Sequence, residues 1–378
     1  MCVEDHQQIE HFLTRGVEKV FPSADFVQAR LKEGKPLTMY LGIDPTGPSL
    51  HLGHIVALRK LRQFQDLGHK VILLIGDFTG MIGDPSDKSA TRQRLTRKEV
   101  LQNAKLYKTQ ASKILRFSGK NAAVLKYNSK WLAKLSFEDV VELAAHFTVQ
   151  QMMARDMFDR RMKENKPISI SEFMYPLMQG FDSVAMKTDG EIGGNDQTFN
   201  MLAGRTLMKE MHHKEKFVVT MKLLVDATGK KMSKTEGNMI TLGDSADEMF
   251  GKVMSWTDGM IRNGFELLTD VSLDEIDHAL ANQNPRDVKM RLAETVVGSF
   301  FEGKAAKDAQ ERFVATFQKH ETPTEMPEVS IGSGMSIMDL LLAAKFVGSK
   351  SEARRVLDEG GVKVDEQVVK AYDTMVKA

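Results

Sequence analysis

The chain has 378 residues, of which 42% are hydrophobic and 27% charged, and its formal net charge at pH 7 is +1. These values are typical of a globular protein, and a chain of this length is expected to form about two or three domains. No apolar run approaches the roughly 18 residues of a membrane-spanning helix, and the acidic N-terminus does not resemble a signal peptide, so a cytoplasmic protein is expected. The single cysteine, Cys2, excludes an internal disulfide framework and a cysteine-based zinc cluster.

The N-terminal third begins with helical periodicity over residues 1–35 and continues with an apolar segment, residues 37–43, that predicts a strand. A loop rich in glycine and proline follows, and then an amphipathic helix for which Ser49 is the expected N-cap. The N-terminus of such a helix offers unpaired N–H groups and the positive end of its dipole. This combination suits an anion such as phosphate.

Two histidines, His51 and His54, stand three residues apart at the start of this helix, so both imidazoles are expected on one face, toward the loop. Gly53 removes a side chain between them, which allows a flat group to lie against the backbone. Imidazole N–H groups can donate to phosphate oxygens and stabilise charge that develops in a transition state. The spacing alone fits two surface histidines near a helix cap equally well.

A second strand is predicted at residues 71–76, which completes a right-handed βαβ unit of a buried parallel sheet. Ligands of such sheets bind at the carboxyl ends of the strands, so residues 42–44 and 77–79 are expected side by side. The turn-rich loop at residues 80–86 belongs to the same edge. In this loop Asp84 precedes a proline and is held extended, either as a site residue or as the cap of its own turn.

Two helical stretches are predicted next, at residues 96–117 and 134–163. The segment from Lys88 to Lys120 carries ten Lys or Arg residues against one acidic residue, which indicates either a solvated face or a nucleic-acid surface. The second stretch has an apolar, methionine-rich face that fits either a core or a subunit interface.

A polar stripe is predicted on the helix at residues 171–188, where Tyr175, Gln179 and Asp182 share one face. This stripe indicates either a binding site or a solvated helix face. A short strand follows, and the paired glycines within residues 191–197 allow a ligand to approach the backbone closely.

Strands are predicted at residues 218–221 and 223–226, and they lead into the loop 226–238, which contains the sequence KKMSK. Lysines on a mobile loop are point charges that can follow a leaving pyrophosphate, although a surface basic patch has the same composition. Beyond residue 244 the pattern is helical as far as residue 320. Residues 321–334 are rich in proline, glycine and serine and are typical of a linker.

Two motifs resemble the signatures of class I aminoacyl-tRNA synthetases: HLGH at residues 51–54 and, 180 residues later, KMSKT at residues 231–235. The segments YLGIDPTGPSLHLGH, GMIGDPS, YPLMQGFDS and GGNDQ are similar to bacterial tyrosyl-tRNA synthetases in particular. The similarity extends over essentially the whole chain and is weakest in the tail. It implies an α/β, Rossmann-like parallel-sheet catalytic domain at residues 1–243, an all-helical anticodon-side domain at 244–320 and a small α+β RNA-binding domain at 335–378.

The resemblance also implies which residues act. The catalytic set is Thr46, His51, His54, Lys231 and Lys234. ATP is expected to be bound by Gly42, Asp44, His51, Gly53, His54, Gly194, Asp196, Lys231, Lys234 and Thr235. Tyrosine is expected to be bound at its phenol by Tyr40 and Asp182, at its ammonium by Asp84, Tyr175 and Gln179, and near its carboxyl group by Gln197.

The implied reaction joins tyrosine to ATP, releasing pyrophosphate, and then transfers the tyrosyl group of the adenylate to the 3′ end of tRNA(Tyr). ATP is therefore a substrate, and Mg²⁺ is expected to travel with it because the sequence shows no dedicated carboxylate cage or other metal site. The remaining expectations are a homodimer formed through residues 134–163, a tRNA surface on the basic segment and no association with membranes.

The tail carries helices predicted at residues 335–341 and 349–357 and a strand at 360–364, an arrangement similar to the RNA-binding fold of a ribosomal small-subunit protein. The final strand pair of that fold is not found in the sequence, so a shortened or partly disordered tail is expected. Phosphates would be contacted by Lys350, Arg354 and Arg355.

Two alternatives remain open at this point. A tryptophanyl enzyme has the same fold, but Tyr40, Gln179 and Asp182 suit a phenol better than an indole N–H. A synthetase-derived RNA-binding protein without catalysis retains the basic segment and the tail, but both signature motifs are intact in this chain.

Overall fold

A computed structural model describes residues 3–86, 95–225, 239–317, 334–365 and 367–376. The chain divides into two compact units, Met1–Phe313 and Val314–Ala378. Each unit is described by itself.

The larger unit is built on a six-stranded sheet with the strand order β1-β6-β5-β2-β3-β4. Its strands are β1 (Val17–Phe21), β2 (Thr38–Ile43), β3 (Lys70–Ile75), β4 (Val124–Tyr127), β5 (Gly190–Gly194) and β6 (Phe217–Met221). All neighbouring pairs are parallel except β1 and β6, which are antiparallel. The Rossmann-like fold expected from the sequence is confirmed.

Two strands of this six-stranded sheet were not predicted. Residues 1–35 are not entirely helical, because β1 interrupts them as a short edge strand whose two charged residues, Glu18 and Lys19, are exposed. The other missed strand, β4, is only partly buried and lies at the opposite edge of the sheet. Short edge strands carry few buried apolar residues, so they give a weak periodic signal.

Helices cover both faces of the sheet and continue beyond it. Those up to residue 212 are α1 (Val3–Thr14), α2 (Ala24–Lys32), α3 (Leu52–Asp66), α4 (Thr79–Ile82), α5 (Arg97–Ala104), α6 (Tyr107–Ala111), α7 (Ser129–Leu132), α8 (Phe137–Ala145), α9 (Val149–Met153), α10 (Asp156–Lys163), α11 (Ile170–Met186) and α12 (Thr198–His212). The later ones are α13 (Ala246–Met254), α14 (Ile261–Leu268), α15 (Leu273–Asn282), α16 (Pro285–Gly298) and α17 (Ala305–Phe317). One hydrophobic cluster joins sheet residues such as Leu73 to Val253 and Val296 of the later helices.

The prediction of Ser49 as the N-cap of the histidine-bearing helix is wrong, because His51 caps α3. Backbone hydrogen bonds join residues 50–52 to residues 240–242, which keeps the chain extended up to His51. The Ser49 hydroxyl instead accepts a hydrogen bond from the side-chain amide of Gln110 (2.9 Å).

Other local predictions need correction. The loop expected at residues 80–86 begins inside a single helical turn, α4. Of the two strands expected between 218 and 226, β6 forms, whereas residues 222–224 are irregular and residue 226 lies outside the described residues. The stretches 96–117 and 134–163 are each broken into shorter helices, α5–α6 and α8–α10, and the breaks at 136 and 148 carry serine and threonine N-caps.

The smaller unit contains α18 (Ile337–Ala343), α19 (Lys350–Asp358) and four two-residue strands. The strands are β7 (Met335–Ser336), β8 (Lys363–Val364), β9 (Gln367–Val368) and β10 (Met375–Val376), paired antiparallel as β7 with β10 and β8 with β9. A small core of residues such as Leu341 and Leu357 holds them together. The strand pairs that the sequence did not reveal are therefore present.

No helix within the described ranges is long and apolar enough to cross a membrane. The same part of the chain contains no group of three or more His, Cys, Asp or Glu side chains that could hold a metal ion.

A buried lysine on α3 bears on stability. The side chain of Lys60 is 3% exposed, and its ammonium donates to the carbonyl of His11 (3.2 Å) above the ring of Phe12. Burial, with the charges of Arg15 and Arg59, lowers the pKa of Lys60 from 10.5 to about 7.

We expect Lys60→Met to raise the free energy of unfolding at pH 7 by about 1–4 kcal/mol, because it removes a buried charge. The carbonyl of His11 still accepts from the backbone N–H of Arg15. Between pH 7 and 10.5 the unfolded chain holds the Lys60 proton and the folded chain does not, so this group makes stability rise with pH there. The variant should lose that slope in urea titrations at several pH values. Lys70 is exposed, so Lys70→Met is the control. If Lys60→Met is less stable than the unaltered protein at every pH, Lys60 is not a destabilising buried charge.

Candidate functional site

A cavity of about 490 Å³ opens at the carboxyl ends of β2, β3 and β5. It collects every site residue expected in the described part of the larger unit, and these are Tyr40, Gly42, Asp44, Thr46, His51, Gly53, His54, Asp84, Tyr175, Gln179, Asp182, Gly194, Asp196 and Gln197. The expected residues Lys231, Lys234 and Thr235 lie outside the described residues. Motifs that are far apart in the sequence thus line one continuous surface.

The two histidines form one wall of this cavity as a reciprocal cap of α3. The Nδ1 atom of His51 accepts from the backbone N–H of Gly53 (3.1 Å), and the backbone N–H of His51 donates to Nδ1 of His54 (3.2 Å). The ring centroids are 3.8 Å apart. A Cβ atom on Gly53 would lie 2.9 Å from the ring of His51, so glycine permits this approach. The backbone bonds fix the orientation of both rings.

Asp44 joins three elements at the mouth of the cavity. One carboxylate oxygen accepts from the hydroxyl of Thr79 at the start of α4 (2.6 Å), and the other accepts from the hydroxyl of Tyr175 on α11 (2.9 Å). Burial, with the carboxylates of Asp44 and Asp84, raises the pKa of Tyr175 well above its ordinary value. Tyr175 therefore stays protonated and donates to Asp44.

Asp84 has two sets of partners, and its interpretation as the cap of its own turn is confirmed. It caps its own turn by accepting from the backbone N–H of Ser86 (2.9 Å), and it faces the cavity, where the amide of Gln197 donates to it (2.5 Å). Arg155, which is 8% exposed, donates to the hydroxyl of Ser86 (2.5 Å) and supports the turn from behind.

The inner end of the cavity contains Tyr40 and Asp182. The indole N–H of Trp131 and the amide of Asn128 donate to the Asp182 carboxylate, at 2.7 and 3.3 Å. Burial raises the pKa of Asp182 well above its ordinary value, and these two hydrogen bonds oppose the rise. The Tyr40 hydroxyl lies 2.8 Å from the hydroxyl of Ser183. The inner end of the cavity is therefore polar and buried.

Several residues that support the site escaped sequence reasoning. Asn128 and Trp131 follow directly after β4, and the failure to recognise this strand hid them. Glu191, which lines the cavity, and Lys216 form a fully buried ion pair. Local sequence offered no signal for this pair, because Lys216 ends a charged run and Glu191 lies beside glycines.

Two segments of the chain match known protein families. Residues 32–318 match the family described as "tRNA synthetases class I (W and Y)", and residues 335–378 match the S4 domain. The chain belongs to the class I tRNA synthetases of the W and Y family.

Two curated relatives span nearly its full length. A tyrosine–tRNA ligase of Haemophilus ducreyi is 47% identical over 94% of this chain and 90% of that protein. Another, from Moorella thermoacetica, is 46% identical over 97% of this chain and 90% of that protein.

Solved structures support the fold. A truncated mitochondrial tyrosyl-tRNA synthetase of Aspergillus nidulans superposes with a TM-score of 0.69 at 21% identity, covering 82% of this chain and 94% of that one. The Archaeoglobus fulgidus tyrosyl-tRNA synthetase, solved with L-tyrosine, gives a TM-score of 0.64 at 21% identity over 81% of this chain and 99% of that one. At this identity the likeness concerns the fold alone.

Gly76 offers a test of the Asp44 junction. A Cβ atom built on Gly76 would lie 1.9 Å from an Asp44 carboxylate oxygen and 2.4 Å from the Thr79 hydroxyl. We expect Gly76→Ala to break their hydrogen bond and lower the free energy of unfolding by about 1–3 kcal/mol. Urea denaturation measures this change.

The matched control is Gly251→Ala in α13, where a Cβ atom meets nothing within 4 Å. Alanine there should raise the free energy of unfolding by about 0.5–1 kcal/mol, since it favours the helix. Equal stability changes in the two variants contradict the proposed geometry of the Asp44 junction.

Proposed function

We infer that the chain is a tyrosine–tRNA ligase, an ATP-dependent enzyme that forms tyrosyl-adenylate and transfers its tyrosyl group to the 3′ end of tRNA(Tyr). The observation that carries this inference is the full-length match, at 46–47% identity, to curated proteins with that name. The cavity supplies the chemistry that such an enzyme requires. Because charged tRNA is consumed in protein synthesis, we place the activity in the cytoplasm.

The inner end of the cavity suits the phenol of tyrosine. The Asp182 carboxylate can accept from the phenol O–H, while the Tyr40 hydroxyl can donate to the phenol oxygen. At the other end, carboxylate and amide oxygens of Asp84 and Gln179 can accept from the ammonium, next to the hydroxyl of Tyr175, and Gln197 lies beside Asp84 for the carboxyl group. Phenylalanine would leave the buried groups at the inner end unpaired, which costs binding free energy.

The outer part of the cavity suits ATP. Thr46, His51 and His54 lie on the wall where we place the phosphates, and Asp196 and Gly194 lie where we place the ribose. We assign Lys231, Lys234 and Thr235 to the departing pyrophosphate from the motif alone. The carboxylate of tyrosine attacks the α-phosphate directly, so the protein contributes positioning and charge stabilisation. Mg²⁺ is assigned to the ATP phosphates, which supply the oxygen ligands it prefers.

We assign tRNA binding to three regions: the basic segment from Lys88 to Lys120, the helices after residue 244 and the S4 domain. The S4 domain match covers residues 335–378, where α19 carries the expected basic residues. Arg354 lies over the ring of Tyr372 and Lys350 lies 3.6 Å from Asp339, both near the surface. Such cations bind phosphates without reading sequence.

We propose that the enzyme is a homodimer formed through α8–α11. Large apolar side chains on these helices are exposed, and their exposed fractions are 85% for Phe137, 54% for Val141, 71% for Val149, 60% for Met162 and 75% for Ile170. A cluster of this kind on a globular unit marks a protein interface. The sequence left open whether this apolar face belongs to a core or to an interface, and the exposure of its side chains favours an interface.

The proposed function is tested by amino-acid-dependent exchange of pyrophosphate into ATP, with tyrosine, phenylalanine and tryptophan in parallel. Exchange with tyrosine alone is the expected result. Exchange with tryptophan would retain the reaction and overturn the specificity, and no exchange with any of the three would overturn the enzymatic function.

The roles of His51 can be separated by two substitutions. We expect His51→Ala and His51→Asn both to slow tyrosyl-adenylate formation by about tenfold or more, because each removes the imidazole. Asparagine is a good N-cap, so only His51→Ala should also destabilise the fold, by about 1 kcal/mol. Rapid-quench assays and urea titrations make the two measurements. A normal rate with weakened tyrosine binding contradicts the assignment to phosphate.

The interface is tested by Phe137→Glu, which places a charge in the apolar cluster and should convert the dimer to a monomer in sedimentation velocity experiments. Leu106→Glu is the matched control, since Leu106 is 54% exposed and lies outside the cluster. Dimers in both variants, or a monomeric unaltered protein, would exclude this interface.

A further inference from the structure

The feature that the reaction leaves unexplained is the ion pair of Glu191 and Lys216. Lys216 is fully buried immediately before β6, and Glu191 is 1% exposed on β5, opposite Tyr40 on β2. Their side chains form a short salt bridge. Removing two charges from water is costly, and the cost is offset only when further hydrogen bonds satisfy both groups. Those further bonds lead to substrate-facing residues.

Glu191 fixes the orientation of the Gln179 amide. The amide nitrogen of Gln179 lies 3.0 Å from the Glu191 carboxylate. A carboxylate accepts hydrogen bonds but donates none, so the nitrogen of this amide must face Glu191. The amide oxygen is left for the cavity, which Gln179 lines. An oxygen there attracts an ammonium group, whereas an amide nitrogen would repel it.

Lys216 sets the direction of a second chain of hydrogen bonds. Its ammonium donates to the hydroxyl oxygen of Ser183 (2.7 Å), which in turn lies 2.8 Å from the Tyr40 hydroxyl. A hydroxyl that accepts from a cation is polarised and becomes a better donor. Ser183 therefore donates its proton to Tyr40, and the Tyr40 proton remains available to an acceptor, either the Glu191 carboxylate or a ligand in the cavity.

We propose that Glu191 and Lys216 are positioning residues for the amino-acid substrate. Through Gln179 they present an acceptor to the substrate ammonium, and through Ser183 they present the Tyr40 hydroxyl as a donor to the substrate phenol. The proposal rests on the tyrosine specificity inferred above. It assigns one buried pair to both ends of the same ligand.

Burial supports this direction of the hydrogen bonds. The carboxylate of Glu191 raises the pKa of Tyr40, whose burial already holds it well above the ordinary value, so Tyr40 retains its proton. Burial lowers the pKa of Lys216, but the facing carboxylate of Glu191 opposes this shift. Asp182 also favours the charged ammonium.

Glu191→Gln tests the first arm without changing size. The oxygen of the new amide pairs with Lys216, so its nitrogen faces Gln179 and forces that amide to turn its own nitrogen toward the cavity. The expected result is a rise of about tenfold in the KM for tyrosine in pyrophosphate exchange, with the KM for ATP and kcat nearly unchanged. Lys214→Met, which removes a partly exposed ion pair with Asp189 outside the cavity, is the control and should leave all three unchanged.

Ser183→Ala tests the second arm, and two ligands separate the arms. Phenylalanine has the ammonium but no phenol, and 3-(4-hydroxyphenyl)propionate has the phenol but no ammonium. Both ligands are used as inhibitors of pyrophosphate exchange. Glu191→Gln should weaken inhibition by phenylalanine alone. Ser183→Ala should weaken inhibition by 3-(4-hydroxyphenyl)propionate alone. A general disturbance of the fold would weaken both ligands in both variants.

The possible outcomes are distinct. The positioning role alone is overturned if the unaltered enzyme shows normal exchange and the Glu191→Gln variant has an unchanged KM for tyrosine. The same holds if each variant weakens both ligands equally. An unaltered enzyme that supports no tyrosine-dependent exchange overturns the proposed function, and the positioning role with it.

Discussion

The structure depends on how carboxylates are buried at the carboxyl ends of parallel strands. A buried carboxylate is stable only when donors from other elements satisfy it, so each one ties elements together. Asp44 joins β2 to α4 and α11, Asp182 joins α11 to the segment after β4, and Glu191 joins β5 to α11 and β6. The cavity is the place where these ties meet.

This constraint favours a site whose polar groups are held in place by the protein itself. Donors such as Trp131 and Thr79 hold the acceptors in place, so binding does not require them to reorganise. The same carboxylates give the inner cavity a polar character that an apolar side chain cannot satisfy. In the proposed function, the hydrogen bonds that support the fold therefore also select for a phenol.

Much of the fold and of the candidate site was predictable, because hydrophobic periodicity and motif spacing are visible in the local sequence. The strands β2 and β3, the face shared by Tyr175, Gln179 and Asp182, and the helices after residue 244 were all expected. The missed features depend on contacts between distant residues. His51 displaces Ser49 as a cap because residues 240–242 extend the chain beside it, and Lys216 is buried because Glu191 faces it. Neither partner is visible from local sequence.

The central claim is that the buried polar groups at the inner end of the cavity recognise a phenol. Calorimetric titration of the protein with tyrosine and with phenylalanine, without ATP, tests it most directly. The account predicts that tyrosine binds and that phenylalanine binds at least about 100-fold more weakly, since it leaves Asp182 and Tyr40 without their partner. Equal affinities for the two amino acids would contradict it.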